Sequence, residues 1–186
     1  GRLAGSADSL PPFSRAIDSR QRIGSTASRV IRGASTRPCF SIAEPTGVVA
    51  AVAPQDSSLL GLVSIIAPAI VSGNAVIVIA STSRPLPAIS LAEALATSDV
   101  PGGVVNVLTG DPAEIMPWLA SHADVNAIDL AGIVDPELAA TLEREAAGTM
   151  TRVRRPDPAV DWTADPGLSR IRSFVETKTV WHPMGA

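Results

Sequence analysis

The chain has 186 residues, 46% of them hydrophobic and 18% charged, with a net charge of −3. That length supports one real core and leaves too little for a second full domain. The acidic balance removes any electrostatic case for nucleic acid, and the single cysteine, Cys39, rules out a disulfide framework within the chain.

The opening residues, Gly1-Arg2-Leu3-Ala4-Gly5-Ser6, carry no apolar signal core. The longest apolar run, 59–71, contains Ser64 and Pro68 and is too short to span a bilayer. The expectation is a soluble protein of a reducing compartment, cytoplasmic and with no membrane partner. A charged share below the usual one suggests that some surface is covered by a partner.

Residues 1–36 are rich in Ser and Arg. Phe13, Ile17, Ile23, Val30 and Ile31 form a loose helical stripe that predicts a helix over about 14–32. Phe40 and Ile42 then alternate with small or polar residues between Pro38 and Pro45, which predicts a short strand near an edge.

From here the pattern is regular. Residues 47–52 (GVVAAV) form a continuous apolar run, as a doubly covered parallel strand would. Residues 57–72 have helix length, and Gly73-Asn74 stops them. A second buried strand is predicted at 75–80 (AVIVIA), a helix at 86–97 and a third strand at 104–108. Asp111-Pro112-Ala113-Glu114 opens a well-capped helix that runs to about 121. A fourth strand is predicted at 125–130 (VNAIDL). Asp135-Pro136 starts another capped helix, ended by Gly148, and a fifth short strand is expected at 150–153.

Strands alternating with helices imply an α/β fold, a doubly wound parallel sheet with helices on both faces. Such sheets bind ligands beyond the carboxyl ends of their strands. The candidate site is therefore built from Pro54-Gln55-Asp56, Ser81-Thr82, Thr109-Gly110 and Ala131-Gly132. Residues 154–172 are rich in Pro and Asp and read as a linker. The tail at 173–181 (SFVETKTVW) is β-prone, and a lone strand of this kind must pair with something.

Several segments together resemble the aldehyde dehydrogenase superfamily. They are Pro45-Thr46-Gly47-Val48-Val49 with Ala53-Pro54-Gln55-Asp56, Ala67-Pro68-Ala69 with Ser72-Gly73-Asn74-Ala75-Val76, and the run from Pro101-Gly102-Gly103 to Leu108-Thr109-Gly110. His122-Ala123-Asp124-Val125-Asn126-Ala127-Ile128 and Glu176-Thr177-Lys178-Thr179-Val180-Trp181 complete the set. The resemblance implies a Rossmann-like NAD-binding domain over 37–153 and an oligomerisation strand over 173–186. In that strand Phe174, Val175, Thr177, Thr179, Val180 and Trp181 would mediate assembly. It also implies a large catalytic domain between the two parts, where this chain has only its linker.

The chemistry the family needs is not matched. The family nucleophile is a cysteine of the missing domain, and Cys39, before the first core strand, reads as a small packed hydrophobe. The family's glutamate base follows a strand near the end of the NAD domain, where this chain reads Thr151-Arg152-Val153-Arg154-Arg155-Pro156. Without thiolate and base there is no covalent route to acyl transfer. Asp56 stands where the family places an oxyanion-binding asparagine. A carboxylate only accepts hydrogen bonds and would repel an oxyanion by about 4 kcal/mol at about 4 Å. The preferred reading is that Asp56 caps the helix starting near Ser57.

The cofactor positions implied by the resemblance are Pro54, Asp56, Ile79, Ser81, Thr82, Gly110, Gly132 and Ile133. Ile79 and Thr82 replace a lysine and a glutamate that hold the adenosine ribose. Each lost charged hydrogen bond costs about 1.5–3 kcal/mol, so the pair weakens NAD by roughly two to four powers of ten. Ile133 replaces a hydroxyl donor of the phosphate loop, and Glu137 adds negative charge at a helix start. His122 and His182 are too few and too separated for a metal site. Trp118 reads as core, and Arg152, Arg154 and Arg155 as a solvated face. The expectation is a non-catalytic subunit (a pseudoenzyme) with no cofactor, assembling as a homo-oligomer or with a full-length aldehyde dehydrogenase. Two alternatives stay open. One is an NAD- or NADP-dependent aldehyde dehydrogenase subunit or residual nucleotide-binding module. The other is a decayed fragment.

Overall fold

The computed structural model describes residues 29–31, 39–165 and 167–181. Two sheets organise them. The first elements are strands β1 (Arg29–Ile31), β2 (Cys39–Pro45) and β3 (Val48–Val52), helix α1 (Leu60–Val71) and strand β4 (Ala75–Ile79). Helix α2 (Leu86–Ala96), strand β5 (Val105–Leu108) and helix α3 (Pro112–Ala120) follow. Strand β6 (Ala127–Asp129), helix α4 (Pro136–Gly148), strand β7 (Arg152–Arg154), helix α5 (Ser169–Ser173) and strand β8 (Val175–Trp181) complete the order.

The larger sheet is parallel throughout, in the order β5-β4-β3-β6-β7. Its central strand β3 explains the unbroken apolar run. Val49 and Ala51 face a core shared with Leu62, Ile65 and Ala69 of α1 and Ala88 of α2. Ala50 and Val52 face a second core with Met116 and Ala120 of α3 and Ala139, Leu142 and Ala146 of α4. Both faces of β3 are thus sealed, as expected of a strand flanked by crossover helices. This is the doubly wound, Rossmann-like arrangement.

The smaller sheet is antiparallel, in the order β1-β2-β8. Strand β8 pairs with β2 along its whole length, from Pro45 opposite Val175 to Cys39 opposite Trp181. Cross-strand side chains reinforce the pairing. Ser41 and Thr179 share a hydroxyl hydrogen bond of 2.8 Å, and Lys178 Nζ lies 3.1 Å from Glu44 Oε1. The tail strand therefore finds its partner within the chain, and its outer edge is unpaired among the described residues.

Three local expectations change. Of the helix expected over 14–32, only Arg29–Ile31 is described, and it is strand β1, paired with Cys39–Ser41 of β2. Adjacent β-branched residues suit a paired strand, so sheet pairing overrides the loose helical spacing. Helix α1 begins at Leu60, and Asp56 does not cap it. Ser57 does that work, its Oγ and carbonyl accepting from the Gly61 N–H at 2.9 and 3.0 Å. Finally, the stretch expected as a linker ends in α5, with Arg170 and Ile171 buried.

Candidate functional site

The chain runs outward from β3 to β4 and β5, then crosses back to place β6 on the other side of β3. The loops leaving β3 and β6 therefore diverge, and a crevice opens between them, as open α/β sheets do where the strand order reverses. A cleft of about 720 Å³ occupies that point. Pro54, Gln55 and Asp56 line it from the β3 loop, residues 131–136 from the β6 loop and the start of α4, and residues 155–158, Val160 and Trp162 from the segment after β7.

Of the eight cofactor positions implied by the resemblance, four meet here: Pro54, Asp56, Gly132 and Ile133, beside Gln55 and Ala131 of the candidate site. The other four do not. Ile79 is fully buried in the core beside α3 and α4, so its side chain reaches no ligand. Ser81 is buried, and Thr82 and Gly110 are exposed beyond the ends of β4 and β5. Gln55 joins the first two loops. Its Oε1 accepts from Ser81 Oγ at 3.0 Å, Thr82 N at 3.1 Å and Thr82 Oγ1 at 3.0 Å. The polar groups after β4 are thus satisfied by the chain itself.

Gly132 is needed for packing. A Cβ there would sit 2.3 Å from the Ala53 carbonyl oxygen and 2.6 Å from that of Val52. The β6 loop presses against the end of β3, and the missing side chain permits that approach.

The N-terminus of α4 opens onto the cleft, and helix N-termini attract anions through unpaired N–H groups and the helix dipole. Here Asp135 is the cap, its Oδ1 accepting from Glu137 N at 2.9 Å. Asp56, Glu143 and Asp157 add three more carboxylates to the lining, against one cation, Arg155. That guanidinium is held by Glu143 through two contacts, 2.8 and 2.9 Å. Asp56 makes no hydrogen bond among the described residues.

Beside the cleft lies a cluster that the sequence did not disclose. Asp129, fully buried at the end of β6, accepts from Ala131 N at 3.0 Å and pairs with Arg170 of α5. Arg154 Nε lies 3.8 Å away on the neighbouring strand. Burial holds the Arg154 guanidinium below its ordinary pKa, the Arg170 charge adds to this, and Asp129 opposes it. Trp162 stacks on Arg170 at 5.4 Å from the ring centre. Of the arginines read as a solvated face, Arg155 is exposed, whereas Arg152 and Arg154 form a clamp. Arg152 donates to the carbonyls of Ser173 and Val175 at 3.1 and 2.9 Å and lies 3.5 Å from Glu176, and Arg154 donates to Ser173 Oγ at 3.1 Å. Asn74, part of a helix stop and of a family-like segment in the sequence, donates to the Phe174 carbonyl at 2.9 Å. One signal was available: an aspartate inside a buried apolar strand requires a counter-charge.

Of the residues expected to mediate assembly, Phe174 is buried in this chain's own core and precedes the strand. Val175, Thr177, Thr179, Val180 and Trp181 all lie on β8, with Thr177 and Thr179 exposed. Cys39 lies on β2. Exposed Trp118 departs from its core expectation, at 78% accessible. Among the described residues no group of three or more His, Cys, Asp or Glu side chains could hold a metal, and no helix is long and apolar enough to cross a membrane.

A family model described as the aldehyde dehydrogenase family matches residues 12–154. The chain belongs to the aldehyde dehydrogenase family. It is 36% identical over 100 residues to the 3-sulfolactaldehyde dehydrogenase of Priestia aryabhattai, covering 54% of this chain and 21% of that enzyme. It is 35% identical over 126 residues to the NADP/NAD-dependent aldehyde dehydrogenase of Escherichia coli, covering 67% of this chain and 26% of that enzyme. The crystal structure of an aldehyde dehydrogenase from Brucella melitensis biovar abortus superposes with a TM-score of 0.69 at 25% identity, over 76% of this chain and 29% of that one. This aldehyde dehydrogenase family chain thus spans 21–29% of the length of these relatives.

Proposed function

We propose that the chain is a non-catalytic aldehyde-dehydrogenase-like subunit that assembles with itself or with a full-length aldehyde dehydrogenase through β8. The observation that carries this reading is the ribbon. Seven residues of β8 are held in register by β2, the preceding segment is clamped by Arg152, Arg170 and Asn74, and the outer edge of β8 is unpaired among the described residues. A paired strand with an open edge is a template for another strand.

The cleft supports the same reading from the other side. Its lining contains no cysteine, histidine or lysine, so it offers neither a thiol nucleophile nor an ammonium for a phosphate. The strand β7 is followed by Arg155-Pro156, and only residues 155–168 separate it from α5. The residues present fit a dinucleotide poorly. The α4 N–H that would face a pyrophosphate already serves Asp135, and four carboxylates surround the space.

Sedimentation analysis of the chain alone, and mixed with a full-length relative from its host, tests assembly. A stable oligomer at micromolar concentration is expected. A chain that stays monomeric under both conditions defeats the proposal. A second reading, a residual NAD- or NADP-binding module, is favoured by the position of the cleft at the strand-order reversal. Calorimetric titration with NAD, NADP and adenine nucleotides separates the two, and no heat up to millimolar concentration removes it.

A further inference from the structure

The cleft is more than an emptied nucleotide cradle, because its surface chemistry has a definite character of its own. Its walls are rigid and apolar: Pro54, Ile133, Pro136, Pro156, Pro158 and Trp162. Prolines and an indole present flat, pre-ordered surface, so a bound ring costs little reorganisation. The volume, about 720 Å³, falls in the range of small-molecule sites.

The charge on these walls is mostly negative, four carboxylates (Asp56, Asp135, Glu143 and Asp157) against the one guanidinium of Arg155. Arg155 is spoken for by its two-point contact with Glu143. Asp56, Asp135 and Asp157 have no cationic side chain within salt-bridge distance among the described residues, and all three are exposed. Asp135 spends one oxygen on the α4 N-terminus and Asp157 one on Ala159 N at 3.0 Å; each carboxylate has further acceptor capacity. The indole of Trp162 already holds one guanidinium, that of Arg170, which shows the ring's affinity for delocalised cations.

We propose that the cleft binds an organic cation with a flat apolar body, an amidinium, guanidinium or amine carried on an aromatic ring, and discriminates against anions of the same shape. The ring lies against the proline and indole walls. The cation points to the rim, where Asp56 from the β3 loop and Asp157 from the segment after β7 line the cleft. This specificity is independent of assembly through β8.

The test uses the full chain at low ionic strength, where exposed charges are least screened. Three probes of similar size are titrated by calorimetry and by amide chemical shift: benzamidine (protonated at neutral pH), benzyl alcohol and benzoate. Benzamidine is expected to bind at least about tenfold more tightly than benzoate, with benzyl alcohol between them. The shifts should fall on residues 54–56, 131–136 and 155–162. Combining Asp56→Asn with Asp157→Asn should lower benzamidine affinity by roughly threefold to twentyfold and leave benzyl alcohol unchanged. Asn can still accept at the turn that Asp157 makes, so the fold is preserved. Asp99→Asn with Asp124→Asn, exposed charges at the opposite end of the strands, should change nothing. The proposal is overturned if benzoate binds as well as benzamidine, if no probe binds up to millimolar concentration, or if the distant pair of substitutions acts as strongly as the cleft pair. Sedimentation of the same samples reads assembly separately, so either idea can fail alone.

Discussion

The cleft and the clamp share strand β6 yet treat polar groups in opposite ways. At the clamp, Asp129 is fully buried, and Arg170, Arg154 and Ala131 N surround it. No buried side-chain polar atom among the described residues lacks a partner. At the cleft, a few residues further along, carboxylates stand exposed with their one cation already engaged. The difference separates what the chain needs in order to fold from what a ligand would need in order to bind. Buried polar groups must be satisfied or the structure pays heavily. Exposed ones are under no such constraint, and at the cleft they are mostly carboxylates.

The comparison breaks first, and hardest, at Asp129. Asp129→Ala strands the Arg170 guanidinium in the interior and should cost about 3–5 kcal/mol in urea unfolding. Asp129→Leu combined with Arg170→Met should recover most of that loss, because a packed apolar pair replaces two desolvated ions. A single-substitution cost below about 1 kcal/mol would mean that the pair is not the anchor of α5.

Asn74 comes next. Its amide serves the Ala69 carbonyl, Ser72 Oγ and the Phe174 carbonyl, while its oxygen accepts from Gly47 N at 2.8 Å. Asn74→Ala leaves several buried partners unmatched and should cost about 2 kcal/mol or more. Amide exchange should accelerate in β8 before it does in β3. On the cleft side, Gly132→Ala forces a methyl onto the β3 carbonyls. A cost of about 1–3 kcal/mol is expected, with shifts centred on Ala53 and Pro54. If Gly132→Ala were neutral, the β6 loop would have room to move and the cleft would not be rigid.

These two regions were unequally legible in the sequence. The parallel sheet was readable because its signal is local: uniform apolar runs such as 47–52 and 75–80, and Asp-Pro caps at 111–112 and 135–136, lie within a few residues of what they determine. The position of the cleft followed from the order of strands and helices. The clamp was not readable, because Asp129 and Arg170 are separated by 41 residues and Asn74 and Phe174 by 100. An aspartate within an apolar strand signals the need for a counter-charge, but nothing local marks which residue supplies it. Asp56 failed for a smaller reason. Its type suits an N-cap, but α1 starts at Leu60, one turn too late, and Ser57 is the residue within reach. Of the four expected cofactor positions away from the cleft, Ser81 and Thr82 are tied to Gln55, a contact that only the fold creates, Ile79 is sealed in the core and Gly110 lies beyond the end of β5.

The smallest effect lies in the segment that carries Trp162 over the cleft. Asp161 accepts from Thr163 Oγ1 at 2.7 Å and Thr163 N at 2.9 Å. The Thr163 hydroxyl first, and its backbone N–H second, hold the Asp161 carboxyl below the usual carboxylate range. A depressed carboxyl contributes stability that is present above its unfolded pKa and is lost as pH falls through its folded one. The turn should therefore be intact at neutral pH and loosen only in acid, below the usual carboxylate titration. Because the group is fully exposed, Asp161→Ala should leave the global unfolding midpoint unchanged. It should broaden the Trp162 side-chain signals and weaken benzamidine binding without touching β8. A comparable loosening of β8 in this variant would show that cleft and clamp move as one unit, and the division between them would then be false.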